Sequence, residues 1–356
     1  MYTLPSLKPR QLVRVASEAR ARRSRLPPKL RAAGGSSGRP SIYYLSPDPV
    51  EPRGGVRVFY RHVDLLNDLG YVAKVLHTRR GYRASWFEND TALVAAQDAT
   101  LYDDDILIVP EFYGGNLERL PRGPRIALFN QGAYFTFTGV SVARAASLVA
   151  APVEAIMTIS EDSLKLLSYT FPGTPLHYAR PVLDGTNFHT PETPLSNRRR
   201  IAYTTSRRPA ERHQLLSILH ARGNLSSWEF VPISNMSEQQ VANTLRDCSI
   251  FLSFSERDGF GLPPTEAMAC GCYVIGYHGQ GGREFFSSDY CQPIADGDIL
   301  SFARAVEAAT ASYEADPQSL TQFGLQASRE ILSRYNTEGL RADLLDFFQS
   351  LNFEAR

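Results

Sequence analysis

Residues 251–286 hold the densest set of groups that could do chemistry: FLSFSERDGFGLPPTEAMACGCYVIGYHGQGGREFF. A buried strand is expected to end at Phe254, followed by a polar loop and then Gly259-Phe260-Gly261. Pro263 and Pro264 suit the start of a helix, where a missing N–H costs nothing, and Gly271 stops it. A strand that turns through glycines into a helix presents free backbone N–H groups at a positive dipole end, which is a site for an anion such as phosphate. Asp258 and Glu266 bracket that turn, and carboxylates accept hydrogen bonds from paired hydroxyls. One short element therefore offers amides for phosphate and carboxylates for sugar hydroxyls.

The run Asp258-Gly259-Phe260-Gly261-Leu262-Pro263-Pro264-Thr265-Glu266-Ala267-Met268-Ala269-Cys270-Gly271 resembles the nucleotide-sugar signature of GT-B glycosyltransferases of family 4. The family form is Glu-Gly-Phe-Gly-Leu-Pro-x-x-Glu-Ala-Met-Ala-x-Gly, so Asp258 stands where the first Glu usually does. The resemblance implies that Glu266 binds the ribose hydroxyls of a nucleotide-diphosphate sugar and that Asp258 contacts the sugar being transferred. It implies that the amides of Gly259, Phe260, Gly261 and Leu262 meet the diphosphate or sugar. Asp is one methylene shorter than Glu, which leaves the choice of donor sugar open.

Other stretches extend the resemblance. The loop Glu51–Arg57 carries Gly54-Gly55 after the first strand, like the family's Gly-Gly loop. Adjacent glycines let a backbone approach a phosphate or acceptor closely, although alone such a pair is more often a turn. It is not Gly-x-Gly-x-x-Gly, which argues against a nicotinamide cofactor. After the second domain's first strand the family places an Arg and a Lys to neutralise the donor diphosphate. This chain has no Lys there, which leaves Arg207, Arg208 and Arg212 as candidates, and arginine can grip phosphate with two bonds. The alternative is a solvated basic turn. In the first domain Asn130, Gln131 and Tyr134 follow a strand end, where family members often carry a His touching the donor sugar. These groups could hydrogen-bond a sugar but not relay protons as His does; the alternative is a polar turn with Tyr134 in the core. Gly279–Glu284, and Pro181–Phe188 with Asp184, match family segments that shape the cleft and hinge. Asp103-Asp104-Asp105 contains the Asp-x-Asp of metal-dependent transferases, but it precedes a strand instead of following one and reads as a strand-start acid run.

The elements that must position these groups alternate along the chain. Strands are expected at 41–45, 71–76, 105–110, 125–129 and 155–159, with a helix from Val56 to Gly70 and another opening at Ser160, whose hydroxyl can cap it. Residues 190–199 resemble a linker, after which the alternation restarts. Strands are expected at 200–204, 229–232, 250–254 and 273–276, and helices at 210–222 and 264–270. Ser237-Glu238-Gln239-Gln240 is a capping box. Residues 336–356 form an amphipathic pattern with Leu340, Leu344, Phe347 and Phe348 on one side. Strands separated by helices imply parallel sheets covered on both faces.

The expected fold is α/β, of GT-B type: two Rossmann-like doubly wound domains facing a central cleft. The expected divisions are a basic arm and linker over 1–40, an acceptor domain over 41–190 and a donor domain over 191–335. A C-terminal helix over 336–356 should cross back to the first domain. The ligand site of two such domains is the cleft between the carboxyl ends of their strands.

Composition narrows the function. The 356 residues suffice for two cores, and a net charge of +1 gives no whole-molecule attraction to nucleic acid. The positive charge sits in residues 1–40, with ten Lys/Arg against one acid, Glu18. Residues 7–25 place apolar positions at helical spacing among arginines, so residues 1–31 are a candidate for peripheral contact with an anionic membrane; a solvated arm is the alternative. Residues 26–40 read as a Pro/Gly/Ser linker. The four cysteines lack zinc spacing and are expected as reduced thiols. No apolar run is long enough to span a bilayer, so a cytoplasmic location, with or without peripheral attachment to the membrane, is expected.

The function implied is retaining transfer of a hexose from GDP-mannose or a UDP-hexose to a saccharide or lipid-linked acceptor hydroxyl, with the nucleotide sugar as co-substrate and no metal or other cofactor. Two alternatives stay open: a weakly catalytic paralogue that binds nucleotide or glycan, and another GT-B chemistry such as nucleotide-sugar epimerisation.

Overall fold

A computed structural model describes residues 23–191 and 198–355. The basic helix expected at 7–25 and most of the linker expected at 190–199 fall outside the described residues.

The first domain is built on seven parallel strands: β1 (Ile42–Ser46), β2 (Ala73–His77), β3 (Leu93–Ala95), β4 (Ile106–Pro110), β5 (Arg125–Asn130), β6 (Ile156–Thr158) and β7 (Leu176–Tyr178). Their spatial order is β3-β2-β1-β4-β5-β6-β7, the doubly wound arrangement whose direction reverses between β1 and β4. β1 and β4 are buried along their whole length and read as continuous apolar runs, as strands covered on both faces must. Helix α1 (Gly54–Asp68) follows β1 and buries Val56, Phe59, Val63 and Leu66 against the sheet. It ends before Gly70, whose φ of +88° favours glycine. Helix α2 (Glu161–Thr170) starts at Ser160, whose side chain accepts from the Ser163 N–H.

The second domain has five parallel strands: β8 (Arg200–Thr204), β9 (Glu229–Ile233), β10 (Ile250–Asp258), β11 (Tyr273–Gln280) and β12 (Gln292–Pro293). Their order is β9-β8-β10-β11-β12, with the reversal between β8 and β10. Around them lie α3 (Pro209–Arg222), α4 (Glu238–Arg246), α5 (Leu262–Ala269), α6 (Ile299–Ala315) and α7 (Pro317–Arg334). The capping box at Ser237 and Gln240 is formed in full. β10 and β11 run longer than their apolar stretches because their polar ends keep pairing, Ser255 with His278 and, past a bulge, Asp258 with Gln280. Helix α8 (Thr337–Ser350) buries Leu340, Leu344, Phe347 and Phe348 and packs against α1 and β7 of the first domain.

The segment expected as a free linker at 26–40 is instead pinned to the first domain. Arg31–Ala32 pairs in parallel with Thr100–Leu101. The Gly35 N–H donates to Asp103 and the Ser36 hydroxyl to Asp104. Asp105 accepts the N–H groups of Ser41, at 2.7 Å, and Tyr102, at 2.8 Å. The acid run is therefore a set of acceptors for the donors of neighbouring loops. All four cysteines are free and buried, and burial pushes the thiols of Cys248, Cys270 and Cys291 up to about 12. No described helix is long and apolar enough to cross a membrane.

Candidate active site

A large cleft separates the carboxyl ends of the two sheets. Its floor on the second-domain side comes from β10 and the turn into α5. Gly261 takes a φ of +114°, and α5 begins at Leu262 with Pro263 and Pro264 in its first turn. No described group accepts from the N–H groups of Gly259, Phe260, Gly261 or Leu262, so the donors stay available at the positive end of the helix. Asp258, Gly259, Phe260, Gly261, Leu262 and Glu266 all line the cleft.

Charged side chains close this floor. Arg207, in the loop after β8, donates from Nε to Asp258 at 3.0 Å and stays half exposed. Glu266 is buried and receives Arg57 Nη2 of α1 at 2.5 Å; the other arm of Arg57 reaches Glu238 at 2.7 Å. Arg61, one turn further along α1, meets Glu238 at 3.0 Å and the Val182 carbonyl at 2.5 Å. Two arginines of the first domain thus hold two carboxylates of the second. Burial raises the Glu266 carboxyl above its ordinary range, and Arg57 opposes that shift.

The two domains also touch directly, where side chains are absent. A Cβ on Gly259 would lie 1.8 Å from the Gln131 carbonyl oxygen, and one on Gly54 would lie 2.7 Å from Leu262 Cδ1. Glycine at both positions is what lets the loop of one domain seat on the loop of the other. Gln131 fixes the same junction by donating from Nε2 to the Gly55 carbonyl at 3.0 Å.

The other sequence candidates are placed elsewhere. Arg208 does not line the cleft. Its φ of 40° turns it back onto the domain, where it binds Glu211 at 2.8 Å, Asp296 and the Ser255 carbonyl and stacks over Tyr277 at 4.6 Å. Arg212 spends its guanidinium on the carbonyls of Thr205 and Arg207, bracing the loop that carries Arg207. Asn130 is buried, with its amide shared between Thr136 and the Gly132 N–H. Tyr134 donates to Asp162 at 2.7 Å, and Asp162 also takes Arg283 of the second domain. Desolvation and that carboxylate push the Tyr134 hydroxyl up to about 12. Asp184 caps its own turn through Thr186, and Glu284 receives the Glu161 N–H and the hydroxyls of Tyr178 and Tyr335. Both hold the architecture together.

Arg57, Glu238 and Glu111 are cleft groups that had no place among the sequence candidates. Arg57 and Glu238 sit inside or at the start of helices, with nothing local to mark them. Glu111 directly follows β4, and its position at a strand's carboxyl end was the one signal that could have found it.

Similarity to known proteins agrees with this geometry. The chain superposes on sucrose-phosphate synthase from Thermosynechococcus elongatus with a TM-score of 0.63, at 13% identity, over 88% of this chain and 99% of that one. It superposes equally on Anabaena HepE, solved in complex with UDP and glucose, with a TM-score of 0.63 at 12% identity over 87% and 99% of the two chains. The fold is GT-B. Residues 210–324, within the second GT-B domain, match the family described as Glycosyl transferases group 1. An alpha-1,6-glucosyltransferase from Actinobacillus pleuropneumoniae serotype 7 (strain AP76) is 25% identical over 265 residues, 71% of this chain and 78% of that protein. The family match and this relative support a GT-B glycosyltransferase.

Proposed function

We propose that the protein is a retaining hexosyltransferase that takes a nucleotide-diphosphate sugar in the cleft and passes its hexose to a saccharide or lipid-linked acceptor hydroxyl. The observation that carries this reading is the turn at 258–262 with its unpartnered amides, flanked by Asp258, Arg207 and Glu266. Glu266, held in place by Arg57 through one oxygen, keeps its other oxygen for ribose hydroxyls. The amides of Gly259 to Leu262 and the Arg207 guanidinium face the diphosphate. They stabilise charge as it develops on the leaving group, the role a metal plays elsewhere, so the reading assigns no metal. Asp258 orients the transferred sugar.

In the reaction the bond from the anomeric carbon to the diphosphate oxygen breaks. A bond to the acceptor oxygen forms on the same face, and the acceptor proton passes to the departing phosphate oxygen. The close seating of Gly259 on Gln131 excludes water from that face and limits donor hydrolysis. The Actinobacillus glucosyltransferase relative and the HepE complex with UDP and glucose make UDP-glucose the first donor to test, ahead of GDP-mannose. A basic arm over residues 1–31 suits an acceptor presented at an anionic membrane surface.

Thermal unfolding of the wild type and of Glu266→Ala against UDP-, GDP-, ADP- and dTDP-sugars tests the proposal. A ligand at about a hundred times its dissociation constant adds about 2.7 kcal/mol. One nucleotide class should stabilise the wild type and not the variant. Absence of any shift in the wild type removes the donor site and favours a chain that binds glycan without nucleotide.

A further inference from the structure

The reversal of strand order in the first domain falls between β1 and β4, so the loops after these two strands flank its crevice. The loop after β1 leads to Gly54 and Gly55, already seated against Leu262 and Gln131. The residue after β4 is Glu111, and it lines the cleft. One of its oxygens, Oε2, accepts the Gln131 N–H at 3.0 Å. The carbonyl of that same Gln131 abuts Gly259, so one residue separates Glu111 from the loop carrying Asp258. Among the described residues Glu111 makes no ion pair, and no side chain donates a hydrogen bond to it. The other polar candidates of this wall, Asn130 and Tyr134, are committed to protein partners.

The groups around Glu111 complete a saccharide-like subsite. Arg25 lies with its guanidinium 5.0 Å over the Phe112 ring, and its carbonyl accepts the Asn116 side chain at 3.1 Å. Arg25, Phe112 and Phe135 all line the cleft beside Glu111, and Phe135 is 41% exposed. A carboxylate and a guanidinium for hydroxyls, with apolar ring faces for a pyranose, is the chemistry by which proteins hold sugars. Burial raises the Glu111 carboxyl, opposed by the Gln131 N–H, by its own N–H and by the Arg25 charge, as expected for an acid kept from bulk water.

Building on the proposed transferase reading, we infer that Glu111 and Arg25 hold a saccharide acceptor on the first-domain wall, with Glu111 accepting a hydrogen bond from a ring hydroxyl beside the one that attacks the donor. That bond orients the acceptor so that the attacking oxygen faces the anomeric carbon over Asp258, and the attacking hydroxyl keeps its own proton for the departing phosphate oxygen.

The test uses the full chain, the nucleotide sugar that stabilises it, and p-nitrophenyl hexopyranosides as acceptor probes. Glu111→Gln keeps the shape and the Gln131 bond but loses the charge. It should raise the acceptor KM about ten-fold or more and lower kcat, because an ionised acceptor is replaced by a neutral one. Arg25→Ala should raise the acceptor KM with a smaller effect on kcat. Nucleotide affinity of both variants should stay within about two-fold of the wild type. Unchanged acceptor kinetics in Glu111→Gln overturn the inference and leave the transferase standing. Equal losses of nucleotide and acceptor binding overturn it too, as they would mark a structural role. A wild type that binds nucleotide but uses none of the probes removes the saccharide acceptor; one that binds no nucleotide removes the underlying function as well.

Discussion

At the second-domain crevice the charged side chains stand on the cleft surface and pair with each other, Arg207 with Asp258 at 3.0 Å. At the first-domain crevice the polar side chains nearest the strand ends are committed to neighbours, the buried Asn130 to Thr136 and the half-buried Tyr134 to Asp162, and Glu111 remains. The two sheets share a topology, yet one wall offers backbone amides and paired charges at its strand ends, while the part of the other around Glu111 offers a carboxylate and the Arg25 guanidinium beside aromatic rings. The first suits a ligand of fixed, strongly anionic character. The second suits a neutral one, whose recognition depends on a few directional hydrogen bonds. Between them run the Arg57–Glu266 and Arg57–Glu238 pairs, so two carboxylates of the second domain are oriented by an arginine of the first.

The largest expected effect tests that last link. Glu266→Ala leaves Arg57 buried with half of its partners, and breaking a buried pair costs about 3–5 kcal/mol. Chemical denaturation should register that loss, and the same variant should lose stabilisation by nucleotide. An Arg57→Met, Glu266→Met double variant should recover much of the stability without recovering nucleotide binding, which separates the two roles of Glu266. If the double variant binds nucleotide normally, the contrast between the walls is wrong at its centre.

Next in size is Gly259→Ala. Its methyl cannot coexist with the Gln131 carbonyl, and a displacement of about 1 Å at a reacting centre can cost about a hundred-fold in rate. We expect kcat/KM to fall by about that factor while nucleotide binding to the second domain persists. Nucleotide titration alongside transfer kinetics separates the two.

A third expectation concerns acid. His62 on α1 is buried, stacked 4.9 Å from Phe129, and its pKa is lowered to about 3 by burial. The unfolded chain protonates this group near pH 6.5, so between those values the unfolded state binds the extra proton and stability falls as pH falls. Relative to pH 7 the loss at pH 5 is about 2 kcal/mol. Denaturant midpoints across that range should show it, and His62→Phe should flatten the dependence. The effect belongs to the first domain alone, and an unchanged slope in the variant would assign the acid sensitivity elsewhere.

The smallest effect distinguishes neighbouring arginines. Arg207→Ala removes an exposed pair and should change stability by less than about 1 kcal/mol while weakening nucleotide binding about ten-fold. Arg208→Ala should do the reverse, lowering the melting temperature with nucleotide affinity intact. Calorimetric titration of both variants with UDP and GDP reads the difference.

Much of the fold was legible because strand and helix periods are local properties; the strands at 42–46, 106–110 and 200–204 follow from apolar runs bounded by turn residues. The turn at 258–262 was legible for the same reason, its groups lying within a few positions of one another. What the sequence hid were directions and long-range partners. Asn130 and Tyr134 were visible as polar groups at a strand end, but only packing decides that Asn130 is buried on Thr136 and that Tyr134 is spent on Asp162. Arg57 finds its partners 181 and 209 residues away, a pairing no spacing rule encodes. Arg208 and Arg207 are adjacent and chemically identical, and a left-handed backbone at Arg208 sends them to opposite sides of the loop. The strand at 31–32 was masked by a Pro/Gly/Ser composition that usually opposes structure; the carboxylates of Asp103 and Asp104 supply the acceptors that override it.

The chain passes between the two domains twice, once after β7 and once between α7 and α8. The two passages are joined where the Leu183 N–H donates to the Tyr335 carbonyl at 2.9 Å, with Arg180 clamped nearby on Asp343 at 2.7 Å. Two tethers stitched side by side behave like the pin of a door: they leave a swing about one line and suppress twisting and sliding. The opening angle of the cleft then becomes the main coordinate along which ligands enter and products leave. A clamp across the passages would slow turnover without touching a single group that meets substrate.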